Sequence, residues 1–174
     1  MPTAKPAAPI THVFVKDGRI PNNPLPFVHY RGAIDLTGSP DPERVIENTF
    51  AANHWGGMWR NGIYPYVHYH SKIHEAMGVA RGFARVRFGG EKGREIEISA
   101  GDVVVLPAGT GHQCTRESPD LVVIGAYPPN GRYDLCRGSK AEYAKALVTI
   151  PQVPRPATDP VFGPKGPLLD LWRA

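Results

Sequence analysis

With 174 residues, 41% hydrophobic and 21% charged, the chain is long enough to bury one ordinary core without disulfide or metal staples, and too balanced for wholesale disorder. Its net charge of +4 comes from Lys and Arg interleaved with Asp and Glu, which argues against a nucleic-acid partner. No run approaches the ~18 apolar residues of a membrane helix, and 19 Gly with 19 Pro call for short strands joined by tight turns, an all-β composition.

The opening MPTAKPAAPITHVFV lacks the apolar core and small-residue cleavage site of a secretory signal, so the expectation is a cytoplasmic protein. Residues 1–38 read as a Pro-rich arm that wraps a folded body, with a strand around Phe27 to Tyr30. Ser39 or Asp41 can cap a helix whose first turn holds Pro42, whose core face carries Val45, Ile46 and Phe50, and which should end near Asn53. From Gly62 to Tyr127 the runs YPYVHYH, AMGVARGFARVRF, REIEIS, DVVVLPA and LVVIGAY read as strands. Turn signals at Gly89-Gly90, Ala100-Gly101-Asp102, Gly109-Thr110-Gly111 and Ser118-Pro119-Asp120 separate them, at the spacing of an antiparallel sandwich or barrel. In the most basic stretch, Arg81 to Arg94, Arg85 and Arg87 share one strand face and Glu91, Glu95 and Glu97 follow, the pattern of a solvated outer surface.

Ser139-x-x-Glu142 is a capping box opening a short helix through about Leu147. The closing Pro-punctuated tail carries Val161, Phe162, Leu168, Leu169, Leu171 and Trp172, too apolar to float free, and should pack on the body or on a second subunit of a homodimer. The expected organisation is one domain: arm and strand over 1–38, helix and strand block over 39–138, short helix and packed tail over 139–174. Cys114 and Cys136 have no metal-type spacing and, in a reducing compartment, are expected to stay unpaired.

The chemistry concentrates in His68, His70, Glu75 and His112. Side chains alternate along a strand, so an H-x-H pair turns both imidazoles to one face where a single cation can bridge them. Glu75 follows one short turn later, and His112 comes off the Gly-Thr-Gly turn onto another strand that a barrel can place opposite the pair. Imidazole with carboxylate suits Zn, Fe, Mn, Ni, Co or Cu, and the lack of a thiolate cluster argues against a closed structural zinc site. His12, His29 and His54 stand alone and read as packed residues.

The stretch Gly62-x5-His68-x-His70-x4-Glu75-x6-Gly82 resembles the first signature of the cupins, and Gly101-x5-Pro107-x-Gly109-x2-His112 resembles the second, at every spacing. The second motif departs from the pattern only at its last position, where Thr115 stands in place of the usual Asn. WRNGIYPYVHYHSKIHEAMGVARG and TDPVFGPKGPLLDLW are similar to YjlB-type bacterial cupins, a likeness covering most of the chain. The resemblance implies a double-stranded β-helix, the jelly-roll cupin barrel, with one or two short peripheral helices, extended terminal arms, and one divalent metal (Zn, Fe, Mn or Ni) inside.

Three residues are candidates for moving protons or binding substrate beside that metal. His74 must point away from Glu75's side; it reads as an outer-face or loop histidine, with a partner of the ligands or a proton carrier as its functional alternative. By alternation Tyr64 and Tyr66 share the face of His68 and His70, while Cys114 and Arg116 share that of His112. An inward Arg116 would pair with a carboxylate-bearing or phosphorylated ligand, or with a protein carboxylate. Trp55, Trp59, Tyr64 and Tyr66 form an aromatic cluster read as helix-to-sheet packing, with a ligand-stacking wall as the alternative. The functional expectation is a metal-dependent enzyme, an oxygenase or an isomerase or lyase, acting on a small, acidic metabolite. Its alternative is a non-catalytic cupin that binds a small molecule or metal.

Overall fold

Short apolar runs broken by Gly and Pro pair here into two antiparallel sheets. The structure is a computed structural model describing residues 8–173; the first seven residues of the expected arm, and Ala174, lie outside the described residues. In chain order the elements are β1 (Ile10–His12), β2 (Phe27–Tyr30), α1 (Pro42–Ala52), β3 (Gly56–Asn61), β4 (Glu75–Arg81), β5 (Phe83–Phe88), β6 (Arg94–Ser99), β7 (Val103–Leu106), β8 (His112–Glu117), β9 (Val122–Tyr127), α2 (Lys140–Thr149) and α3 (Pro167–Leu171). The larger sheet runs β1-β2-β7-β4-β9-β3 and the smaller β6-β5-β8, with crossovers between them in the double-stranded β-helix order.

Which faces are buried explains the sequence patterns. The larger sheet is covered on both sides, so β7 is Val-Val-Val-Leu without a polar break and is buried throughout. Val104 and Leu106 turn toward the smaller sheet, where they meet Val86, Phe88 and Ile98. Val103 and Val105 turn the other way, toward Ile46 and Phe50 of α1 and Leu168 and Trp172 of the tail. On β4, Gly78 lies under α1 so closely that a Cβ there would fall 2.7 Å from Ile46 Cγ2. The smaller sheet has a free outer face, so β5 alternates: Ala84, Val86 and Phe88 go in and Arg85 and Arg87 stay exposed. Arg85 faces Glu95 and Glu97 across the β5–β6 pair at 3.7 and 3.4 Å, an outer ion-pair surface.

Local chemistry sets the helix ends. Asp41 caps α1 by accepting from the Arg44 N–H. Ser139 and Glu142 form the reciprocal capping box of α2, Ser139 Oγ accepting from the Glu142 N–H while Glu142 accepts from the Ser139 N–H. The apolar tail packs on the chain's own body. Asp159, fully buried, accepts from the N–H groups of Val161, Phe162 and Leu168 and from the Tyr30 hydroxyl, and Trp172 Nε1 donates to the Pro26 carbonyl at 2.8 Å. Cys114 and Cys136 are both buried and unpaired.

Four elements differ from the sequence reading. β1 is a strand within the stretch read as an arm, paired with β2. YPYVHYH is not a strand; it makes the isolated bridges His68↔His112 and Tyr69↔Cys136 and accepts single backbone bonds at Tyr64 O and His70 O, while Pro65 offers no ladder donor. β3, with the text GGMWRN, has no apolar period to reveal it, and α3 is a five-residue helix inside the tail.

Candidate metal centre and its cavity

The extended chain through His68 and His70 keeps both imidazoles on one side and turns Tyr69 to the other, where it packs against Cys136 and Ile20. Bridge bonds between His68 and His112, 3.1 and 2.9 Å in the two directions, bring β8 alongside. His112 leaves a turn that is clamped from both flanks. The Gly109 N–H donates to His70 O at 2.7 Å, the Asn22 N–H donates to Gly109 O, and Asn22 Oδ1 accepts from the Gly111 N–H. Gly109 holds φ +91°, and a Cβ there would fall 2.6 Å from Asn22 O. Glu75, the first residue of β4, shares the inward face of Met77 and Val79.

The ligand nitrogens of His68, His70 and His112 lie within 4.8 Å of one another, and all three residues are buried. Each Nδ1 sits against a carbonyl: His68 on Tyr66 O at 3.0 Å, His70 on Asp134 O at 2.6 Å, His112 on Thr110 O at 3.0 Å. A carbonyl only accepts, so each Nδ1 carries a proton, which leaves Nε2 as the atom each ring offers to a metal. Glu75 Oε2 lies 3.4 Å from His70 Nε2 and Oε1 lies 3.5 Å from His112 Nε2. Burial pushes the His68 imidazole down and His112 well below the ordinary histidine range, so both are neutral near pH 7. Burial opposes the charge on His70 as well, but the adjacent Glu75 carboxylate outweighs it and holds His70 up.

Glu75 Oε1 is sealed from solvent and accepts no hydrogen bond. A buried carboxylate oxygen without a donor, 3.5 Å from His112 Nε2 at the edge of the three-histidine cluster, is costly without a cation and well matched to a divalent one. The donor set fits Zn, Fe, Mn or Ni. All four residues lie on the wall of a cavity of about 670 Å³, so an ion held there would face free space.

The remaining walls are chiefly aromatic and aliphatic, with Trp59, Ile73, Met77, Tyr127 and Tyr133 among them. Trp59 Nε1 donates to the Tyr127 hydroxyl at 2.8 Å, and the indole lies so close over Gly125 that a Cβ there would fall 2.0 Å from Cε2. Burial and the nearby Glu75 carboxylate push the Tyr127 phenol up. Tyr133 covers His70 at 4.9 Å between ring centroids.

The candidates for proton transfer and substrate binding are scattered. His74 does point away from Glu75, but the tail covers that side: it is buried 4.8 Å from Trp172, its Nδ1 accepts from the Ala108 N–H, and burial takes it down to about 4. It is therefore neither exposed nor in the cavity wall. Tyr66 lies behind Tyr64, stacked at 4.8 Å under the Arg137 guanidinium at 3.6 Å, and does not line the cavity, whereas Tyr64 does. Arg116 is exposed. A bulge pairs Arg85 with Arg116 and Val86 with Cys114, leaving Thr115 extra and breaking the alternation that would have turned Arg116 inward. Cys114 stays in the inter-sheet core. Of the aromatic cluster, Trp55 packs under the helix, while Trp59 and Tyr64 form cavity wall. Tyr127 went unread although it shares the parity of inward Val123 in LVVIGAY; Tyr133, in a loop, carries no such signal.

The chain is 42% identical over 163 residues to YjlB of Bacillus subtilis, described as an uncharacterized protein, covering 93% of this chain and 95% of that one. No protein-family profile matches. Similar solved structures include acireductone dioxygenase from Bacillus anthracis with a cadmium ion in its active centre, at 15% identity and TM-score 0.37, covering 53% of this chain and 63% of that one. An 11S globulin from Wrightia tinctoria, whose structure reveals an auxin binding site, matches at 18% identity and TM-score 0.36 over 45% of this chain and 21% of its own. The chain thus spans less than two thirds of each of these two structures.

Proposed function

The chain belongs to the cupin family of YjlB, and from that premise we propose that it is a metal-dependent enzyme acting on a small organic molecule, with His68, His70, Glu75 and His112 holding one divalent ion. The observation that carries this reading is the orphaned Glu75 oxygen at the edge of the three-histidine cluster, on the wall of a cavity large enough for a metabolite. Bound there, the ion would supply Lewis acidity, or redox chemistry if it is iron.

The chain's own residues supply the rest. Tyr66, Asp134 and Thr110 hold the imidazole tautomers through their carbonyls, which orients the ligands in advance and spares them that reorganisation on binding. Trp59, Ile73, Met77 and Tyr133 exclude water around the reacting molecule. Tyr127 receives the Trp59 N–H and so has its own proton to give to an oxygen in the cavity. A homodimer remains part of the reading, resting on exposed Ile10, Val13 and Val15 beside edge strand β1, and so does a cytoplasmic location.

Elemental analysis of protein purified without chelator, beside His68→Ala and His112→Ala, tests the proposal. Near-stoichiometric metal in the parent, lost from both variants, is the expected result. A parent free of metal that takes up none of the four ions on dialysis would overturn it.

A further inference from the structure

The cavity's charge and shape restrict what it can hold, given the proposed metal site on which this inference rests. Among the described residues its lining contains no Lys or Arg; outside the ligand set its one other histidine, His54, is exposed, and Asn61 and Asn130 are its amides. Arg116 is outside, and Arg137 lies over the Tyr66 ring at 3.6 Å and does not line the cavity. A divalent ion with the Glu75 carboxylate leaves a single net positive charge, which one anionic oxygen neutralises. A second anionic group in the same cavity would be desolvated with no Lys or Arg to meet it.

The walls are flat and already braced. Tyr64 lies nearly parallel to Tyr66, 12° between planes, with Arg137 supporting the stack from behind. Tyr133 rests against His70 and, at 5.9 Å, against Tyr127. Tyr64 and Tyr133 line the cavity yet remain 43% and 54% exposed, so two aromatic faces stand at the opening with apolar surface still to cover. Rings held in place before a ligand arrives lose little freedom when a planar molecule slides against them. Deeper in, the Tyr127 hydroxyl accepts from Trp59 and lies beside the Glu75 carboxylate, where a ligand oxygen on the ion would also come within its reach.

We propose that the site takes a small planar molecule with one anionic oxygen donor and an otherwise apolar, aromatic-like body, and that it rejects phosphorylated and polyacidic metabolites. The acidic-ligand expectation is thereby narrowed to a single charge, set by the ligand cluster and not by Arg116.

The test is titration of the cobalt(II)-loaded protein, its cobalt stoichiometry measured first, with benzoate, acetate, phthalate and inorganic phosphate, followed by the visible bands of the metal. Benzoate should bind about tenfold more tightly than acetate, and about tenfold more tightly than phthalate or phosphate. In Tyr64→Ala/Tyr133→Ala, on the exposed rim where folding is not at stake, the gap between benzoate and acetate should shrink to about threefold or less with cobalt stoichiometry retained. Phthalate or phosphate binding as tightly as benzoate, or a gap unchanged in the double variant, overturns this inference alone. Failure to take up cobalt and each of the four ions overturns the proposed function, and this inference with it.

Discussion

Asp159, Asp102 and Glu75 are all carboxylates sealed in the interior, and the donors they meet separate their roles. Asp159 accepts from three backbone N–H groups and the Tyr30 hydroxyl, and Asp102 from Gly32, Ser99 and His29, so each ties two segments of chain together. Glu75 has imidazoles at 3.4 and 3.5 Å and an oxygen with no donor at all. The contrast is physical: a satisfied buried carboxylate stabilises a fold, while an unsatisfied one is costly until a donor or a cation meets it. For Asp102, burial works to raise the pKa, but the bonds from His29, Gly32 and Ser99 win and hold the carboxyl low. The folded protein therefore takes up this proton less readily than the unfolded chain. Its stabilisation is present above the ordinary carboxylate value and is lost as pH falls through the lower folded one. Asp102→Asn should be about 1–3 kcal/mol less stable than the parent near pH 7, with the gap closing as pH falls below the ordinary carboxylate range, as read from urea midpoints. A gap unchanged by pH would place Asp102's contribution in packing and not in charge.

At the level of elements, the ligands come from pieces that are only partly regular. α1 with its Asp41 cap, the Ser139 capping box and β2 were legible because caps and short apolar runs are local signals. The segment carrying His68 and His70 was read as a strand and is a bridged extended chain, yet alternation still put both rings on one side, since period two depends on extension and not on a ladder. Arg116 failed for the complementary reason: the bulge at Thr115 arises from pairing with β5, and nothing in HQCTRE marks it. The Gly109-Thr110-Gly111 turn is the element on which the site depends most. Gly109→Ala puts a Cβ into a left-handed position against Asn22 O, and should cost about 1–3 kcal/mol while weakening metal retention, because the turn aims His112. Calorimetric melting and metal analysis of that variant check both effects, and an unchanged metal content would show that His112 is placed by β8 alone.

For the whole molecule, α1 and the wrapped tail cover one face of the larger sheet, the smaller sheet covers the other, and a cavity stands open beside the three histidines. An ion that binds only this folded arrangement must stabilise it: at a free concentration of about 100 times Kd the gain is about 2.7 kcal/mol. Tm should therefore rise by roughly 5–10 °C with saturating metal in the parent and stay level in His68→Ala. Equal shifts in the two proteins would mean the ion binds elsewhere. Sequence by itself determined the family, the strand-rich class and the four residues to consider as ligands. H-x-H alternation, glycine-set turns and motif spacing are properties of the local chain, and they survive without knowledge of partners. Only the tertiary structure decided the character of the cavity: that the tail buries His74, that a bulge turns Arg116 outward, and that Trp59, Tyr127 and Tyr133 converge on the ligands. Those outcomes depend on which surfaces meet across distant stretches of chain, and no local pattern encodes that.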